Sequence, residues 1–120
     1  MNQLTKEEIV KAYYSGFEKH EWNAVAELLA DDFTFTSANN DDHISVDEFK
    51  KRCWGTSTFI KKVNHLKMTE SGNDLILLVE IITTDNTVVR NVDIFTIAVG
   101  KIKSVEVFFG LGESFPGNKK

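Results

Sequence analysis

The order of hydrophobic patterns in these 120 residues predicts an α+β fold, with helices first and an antiparallel sheet after them. In the first half, apolar residues recur three and four positions apart, as on one face of a helix. In the second half, apolar residues alternate in short runs separated by turn residues, which is typical of strands. A chain of this length forms one core, so we predict a single domain over residues 1–120.

The first predicted helix begins at a capping box formed by Thr5 and Glu8. Its apolar stripe consists of Ile9, Ala12, Tyr13, Gly16 and Phe17. This stripe places Tyr13 inward, and Tyr14, one position round the helix, at the periphery. A second, short helix is predicted over residues 22–30.

A strictly alternating segment over residues 33–37 predicts the first strand, and residues 38–43 form a polar loop after it. Ser45 and Glu48 make a second capping box, which starts a third helix. That helix carries apolar residues on one side, with Cys53 at its inward end. The prediction is therefore three N-terminal helices packed against the sheet.

The second half predicts a four-stranded meander over residues 59–69, 75–84, 87–98 and 101–109. In its last strand the alternation slips by one position near residues 103–104, which predicts a β-bulge. A bulge bends a sheet, and a strongly bent sheet with helices on its concave side encloses a pocket. The tail over 110–120 is rich in turn residues and is expected to fray at its end.

Composition excludes several classes of function. The net charge is −4 and the pI about 5.3, so we expect no nucleic-acid partner, and the basic run 50–52 is interpreted as a solvated helix face. A single cysteine permits no internal disulfide and fits a reducing cytoplasm. The N-terminus has no signal-peptide pattern, and the longest apolar run, 75–82, is too short to span a membrane. The histidines and carboxylates have no metal-ligand spacing, so no metal or cofactor is expected.

Asp93 is the most informative residue, because it is a carboxylate within the apolar strand 92–97 and is expected to face inward. A buried carboxylate needs a partner, a proton or a polar cavity. One interpretation is a structural pair with Arg90, Asn91 or a neighbouring lysine. The other is a carboxylic acid that lines a small-molecule pocket and is kept neutral there by desolvation.

The chain offers two weak candidates for a base beside Asp93. Glu80 shares the face of Asp93 if the turn at 85–86 is a two-residue hairpin, and lies on the opposite face if the loop has three residues. His43 lies in the polar loop, where it either closes over a pocket mouth or is simply exposed.

An aromatic-rich interior with few polar groups is typical of small-molecule sites and also of ordinary cores. The predicted pocket lining is Phe17, Phe33, Phe35, Ser37, Phe49, Cys53, Trp54, Phe95, Val105, Val107 and Phe109. On the opposite face of the sheet, Val92, Ile94 and Thr96 form a partly apolar surface. This surface predicts a partner that covers it.

The order of helices and strands, with the stretches 26–35, 91–95 and 100–110, resembles the nuclear transport factor 2-like superfamily. This superfamily includes ketosteroid isomerases and SnoaL-like, polyketide-cyclase-like proteins. The resemblance implies a cone-shaped α+β fold and homodimers formed through the outer sheet face.

In ketosteroid isomerases, a tyrosine and an acid form an oxyanion hole; the resemblance places them at Tyr13 and Asp93. The family's general base falls on Ser37, whose hydroxyl is too weak a base without a neighbouring one. We therefore expect binding of a small, largely apolar molecule with an oxygen atom, and isomerase, cyclase or dehydratase chemistry if a base is present. The alternative is a carrier, a sensor or a protein-interaction module on the same fold.

Overall fold

The computed structural model describes residues 4–38 and 40–109, so the turn-rich tail predicted over 110–120 lies outside the described residues. The helices are α1 (Lys6–Glu18), α2 (Trp22–Ala26) and α3 (Val46–Arg52), with a 3₁₀ helix at Trp54–Phe59. The strands are β1 (Leu29–Ser37), β2 (Asp41–Ile44), β3 (Ile60–Ser71), β4 (Asp74–Thr83), β5 (Val88–Ala98) and β6 (Lys101–Phe108).

The six strands form one sheet in the order β2-β1-β6-β5-β4-β3. The predicted meander is confirmed, since β3 to β6 are consecutive neighbours and pair antiparallel. The pairing of β1 with β6 is parallel, so the sheet is mainly antiparallel as expected. The prediction that all three helices are N-terminal is wrong, because α3 follows β1 and β2 in the chain.

Helix α1 begins where its capping box predicts. The Thr5 hydroxyl accepts from the Glu8 amide at 3.1 Å, and the Thr5 amide donates to the Glu8 carboxylate at 2.8 Å. Its buried face is wider than one stripe, because Val10 and Tyr14 are buried as completely as Tyr13. The expectation that Tyr14 is peripheral is therefore wrong.

The first half differs from the prediction in two places. Helix α2 ends at Ala26, because the following residues join the sheet: Leu29 is buried and pairs with Ile102. Strand β2 lies in the segment predicted as a loop, where its polar composition has no alternating pattern. Asn40 precedes it with a left-handed φ of 67°, which asparagine tolerates well.

The bulge predicted in the last strand is confirmed. Thr96 pairs with Ser104, whereas the next residue, Ile97, pairs with Ile102, so Lys103 is the extra residue of β6. An extra residue restores the inward direction of the apolar side chains after the polar start of the strand. Ile102 and Val105 are both fully buried as a result.

The loop between β4 and β5 decides the position of Glu80. Ile82 pairs with Val88, so five residues separate the last paired positions. Because the number of loop residues is odd, Leu77 lies opposite Asp93. Glu80 is three residues from Leu77 and therefore lies on the other face of the sheet. Of the two alternatives that the sequence left open, the structure has the one that separates Glu80 from Asp93.

Gly16 allows α1 and α2 to approach closely. A Cβ at this position would lie 2.5 Å from Cγ2 of Val25, which is itself fully buried. We expect Gly16→Ala to lower the free energy of unfolding by roughly 1–3 kcal/mol, because overpacking outweighs the gain in helix propensity of about 1 kcal/mol.

Urea denaturation measures this effect, with Gly55→Ala as the control, since a Cβ there meets nothing within 4 Å. Equal stability of the two variants would contradict the packing argument.

Candidate functional site

Asp93 is a completely buried carboxyl group at the centre of the inner sheet face. The hydroxyl of Tyr14 donates a hydrogen bond to its Oδ2 atom. Its Oδ1 atom has no hydrogen-bond partner among the described residues. The carboxyl is therefore half satisfied, and its second oxygen is unmatched inside the protein.

The structural pair considered for Asp93 is not formed with Arg90, since Arg90 Nε donates instead to Glu80 at 3.1 Å on the outer face. Burial raises the pKa of Asp93 from 3.8 to about 7, and the Tyr14 hydrogen bond opposes this rise. At neutral pH the carboxyl is thus protonated in a large share of molecules. A neutral acid of this kind donates a hydrogen bond, which a carboxylate cannot do.

Tyr13 and Tyr14 both lie near Asp93, but they make different contacts. Tyr14 holds the carboxyl through its hydroxyl, whereas Tyr13 packs its ring edge-on against Phe95 at a centroid distance of 5.2 Å. Burial first, and then the charge of Asp93, raises the pKa of both tyrosine hydroxyls. Of the two tyrosines, Tyr14 is the one that bonds to Asp93.

Ser37 lies in the same cross-strand row as Asp93. Ser37 of β1 pairs with Val107 of β6, and Val107 pairs with Asp93 of β5. Neighbouring strands are about 4.8 Å apart, so the backbones at Ser37 and Asp93 are separated by roughly 10 Å.

A depression of about 240 Å³ opens beside Ser37 and Val107 at one end of this row. Its lining consists of Phe35, Ser37, Asp41, Arg52, Cys53, Val107 and Phe109. Five of these seven residues belong to the lining predicted from the sequence. Asp93 is not among them, and the depression reaches the row at Val107.

A polar network forms one wall of this depression. The Ser37 hydroxyl donates to Asp41 Oδ2 at 2.6 Å, and Arg52 Nη2 lies 2.8 Å from Asp41 Oδ1. Asp41 is buried, although the sequence placed it in a polar loop. The structure thus places a carboxylate directly beside the serine that occupies the expected base position.

Ring contacts fill the interior between α1, α3 and the sheet. Phe35 and Phe49 have centroids 4.7 Å apart, and Phe17 contacts Trp54 at 4.9 Å. The buried members of the predicted lining are Phe17, Phe33, Phe35, Phe49, Phe95 and Val105. These residues form the core. The depression beside Ser37 and Val107 lies at the rim of this core.

Neither candidate base from the sequence lies beside Asp93. Glu80 is on the outer face, where hydrogen bonds first from Asn64 and then from Arg90 lower its pKa. His43 is exposed in β2, with Nδ1 2.6 Å from Asp42.

Cys53 has an unreactive thiol. Burial, and then the charge of Asp41, raises its pKa to about 11. The sequence interpretation of an inward, inert thiol fits this value, and the group lines the depression without being a nucleophile.

In the described parts of the chain, no group of three or more His, Cys, Asp and Glu side chains is placed to hold a metal ion. None of the described helices has the length and apolar character needed to cross a membrane.

Sequence reasoning did not place two further polar residues in the site. Asn91, considered there only as a structural partner of Asp93, is buried two positions before it, and His65 of β3 contacts the Tyr14 ring edge-on at 5.8 Å. Asn91 shares the parity of Asp93 in the strand, a signal that could have placed it on the inner face. Nothing in the sequence places His65 beside α1.

Similar solved structures share the fold. An NTF2-like protein from Cytophaga hutchinsonii is 21% identical, with a TM-score of 0.74, covering 91% of this chain and 93% of its own. The epoxide hydrolase/cyclase-like enzyme SalBIII, with a role in pyran ring formation in the polyether salinomycin, is 18% identical, with a TM-score of 0.75 and coverage of 88% and 90%. A protein from Catenulispora acidiphila with a ketosteroid isomerase-like fold, in complex with trimethylamine, is 19% identical, with a TM-score of 0.72 and coverage of 89% and 88%.

No curated protein matches the chain. The family model of the SnoaL-like domain matches residues 10–105, which include most of α1, Ser37 and Asp93 of the inner row, and the first part of β6 up to Val105. The resemblance seen in the sequence is confirmed at this level. The chain belongs to the SnoaL-like domain family, on a nuclear transport factor 2-like fold.

Proposed function

We propose that this protein binds a small, largely apolar molecule with an oxygen atom in a cone-shaped pocket on the inner face of the sheet. Asp93 donates a hydrogen bond to that oxygen. The observation that carries the proposal is the carboxyl itself: it is fully buried, has no basic partner in the described chain, and has an unmatched Oδ1 atom. Keeping such a group in a core lowers stability, so a ligand that uses it explains its presence better than packing does.

The chemistry that fits this arrangement is isomerisation, cyclisation or dehydration through an enolate. In such reactions a negative charge develops on the oxygen, and a preorganised donor in an apolar site stabilises it. Asp93 is that donor, and Tyr14 holds it in place. SalBIII, described as an epoxide hydrolase/cyclase-like enzyme, has this fold and supports the cyclase form of the proposal.

The general base in this proposal is the Ser37–Asp41 pair. Asp41 accepts a hydrogen bond from Ser37, and both line the depression that reaches the row of Asp93 at Val107. A carboxylate beside the serine provides the basicity that a hydroxyl alone lacks.

The single cysteine supports a cytoplasmic setting, where thiols remain reduced.

The alternative is a non-catalytic module that binds a ligand or forms a dimer. The outer sheet face favours dimer formation. Leu78, Val92 and Phe108 form one cross-strand row there and are 37%, 37% and 52% exposed. Aligned apolar residues on an open sheet face are typical of a covered surface. A homodimer through this face is compatible with either function, since the inner face stays free.

We test whether the protein is catalytic with 3-cyclohexen-1-one. Its isomerisation to the conjugated ketone is followed by ultraviolet absorbance. We expect turnover by the wild type and a loss of about 10²–10³ in kcat for Asp93→Leu, the usual cost of removing an oxyanion donor, since asparagine at this position would still donate through its amide. Tyr14→Phe is expected to lose more activity than the matched variant Tyr13→Phe, because only Tyr14 bonds to Asp93.

The catalytic form is contradicted if the wild type binds the ketone without converting it. Ligand binding as a whole is contradicted if neither cyclic ketones nor the matching alcohols shift the melting temperature of the wild type.

The buried acid also predicts how stability depends on pH. The pKa of Asp93 is about 7 in the folded protein and about 4 in an unfolded chain. Between these values only the folded state retains the proton, so the free energy of unfolding falls by roughly 4 kcal/mol as pH rises from about 4 through 7.

Urea denaturation across this pH range measures the decline, which Asp93→Asn should largely remove. Asp32→Asn is the control, because Asp32 is exposed and its hydrogen bond from Lys103 lowers its pKa. A decline of the same size in Asp93→Asn would show that another group is responsible.

Light scattering coupled to gel filtration tests the dimer. We expect a dimer for the wild type and a folded monomer for Val92→Asp, because a charge at the centre of the apolar row opposes its burial. Val99→Asp is the control, since Val99 is almost fully exposed at the β5–β6 turn. A monomeric wild type, or a dimeric Val92→Asp, would contradict this interface.

A further inference from the structure

Three buried side-chain atoms have no hydrogen-bond partner among the described residues: Asp93 Oδ1, Asn91 Oδ1 and His65 Nδ1. More than nine in ten buried polar groups in native proteins are hydrogen-bonded, and each exception calls for an explanation. All three belong to strands β3 and β5.

Two of the three residues contact Tyr14, and strand pairing relates the third, Asn91, to both of them. Tyr14 bonds to Asp93 through its hydroxyl and contacts the ring of His65. Asn91 shares a face of β5 with Asp93, with about 7 Å between their backbones. His65 pairs with Val79, and Val79 pairs with Asn91, so His65 and Asn91 end the same cross-strand row.

The three unmatched atoms differ in kind, since one can donate a hydrogen bond and the other two accept. With Tyr14 donating to Oδ2, a proton of the neutral acid on Oδ1 makes that unmatched atom a donor. Asn91 Oδ1 only accepts. Burial first, and then the charge of Lys11, lowers the pKa of His65 despite the opposing effect of Glu18, so its ring is neutral and Nδ1 can accept.

A ligand carbonyl would satisfy the donor on Asp93 and leave the acceptors unmatched. A hydroxyl group accepts from Asp93 and donates to Asn91 or His65 at the same time. Matching both kinds of group removes the cost of burying them unpaired.

We propose that Asp93, Asn91 and His65 form a polar subsite around Tyr14 that binds the hydroxyl group of a small apolar alcohol or enol. This inference rests on the proposed function and specifies the oxygen group of its ligand. An enol is the form that the enolate chemistry proposed above would pass through.

Calorimetric titration with 1-indanol, 1-indanone and indane tests the subsite, because the three probes share one carbon skeleton. We expect the alcohol to bind at least about tenfold more tightly than the ketone, with indane weakest. Asn91→Leu, which keeps the branching and the number of non-hydrogen atoms of the side chain, should bring the alcohol-to-ketone ratio close to one, with an unchanged or higher melting temperature. Asn23→Leu is the control, since Asn23 is exposed on α2 and should leave the ratio unchanged.

If Asn91→Leu does not fold, His65→Phe provides the same comparison. Binding of the ketone as tightly as the alcohol overturns the subsite and leaves the proposed function standing. A preference for the alcohol that survives both variants also overturns it. If none of the three probes binds, the proposed function fails together with the subsite.

Discussion

The hydrogen bond from Tyr14 to Asp93 organises the inner face of this protein. It joins α1 to the centre of β5 and gives a carboxyl group its partner in an otherwise apolar core. Because that partner is neutral, desolvation dominates and the acid retains its proton up to about pH 7. A basic partner would have kept the group charged and unable to donate.

Each face of the sheet departs at a few positions from the usual arrangement of an apolar inner and a polar outer face. Its inner face carries buried polar groups at Asn91 and Asp93, while its outer face exposes an apolar row. Each departure lowers the stability of an isolated monomer, and the ligand and the second subunit that we propose would offset these costs on the inner and the outer face. Natural folds tolerate such local conflicts mainly at functional sites.

Much of the fold follows from local patterns. The capping box of α1, the meander and the bulge at Lys103 were predictable, because each depends on neighbours within a few residues. Strand β2 was not predictable, since its polar residues are held by pairing with β1 rather than by their own alternation.

The site was predictable only in part, because it depends on distant pairing. The parity of β5 places Asp93 inward, but the face of Glu80 depends on the length of one loop. Choosing between Tyr13 and Tyr14 requires the rotation of α1 about its axis, which a wide apolar face leaves open. Asp41 reaches Ser37 only through the β1–β2 pairing, so no spacing in the sequence indicated it.

The proposed function depends on the protonation state of one buried acid, Asp93. Carbon-13 NMR of aspartate side-chain carboxyls, assigned with Asp93→Asn, follows this titration in the intact protein. We expect the Asp93 signal to titrate with a midpoint near pH 7, far above the ordinary value of 3.8. A midpoint at or below the ordinary value would mean that Asp93 is charged throughout, and the hydrogen-bond donor would not exist.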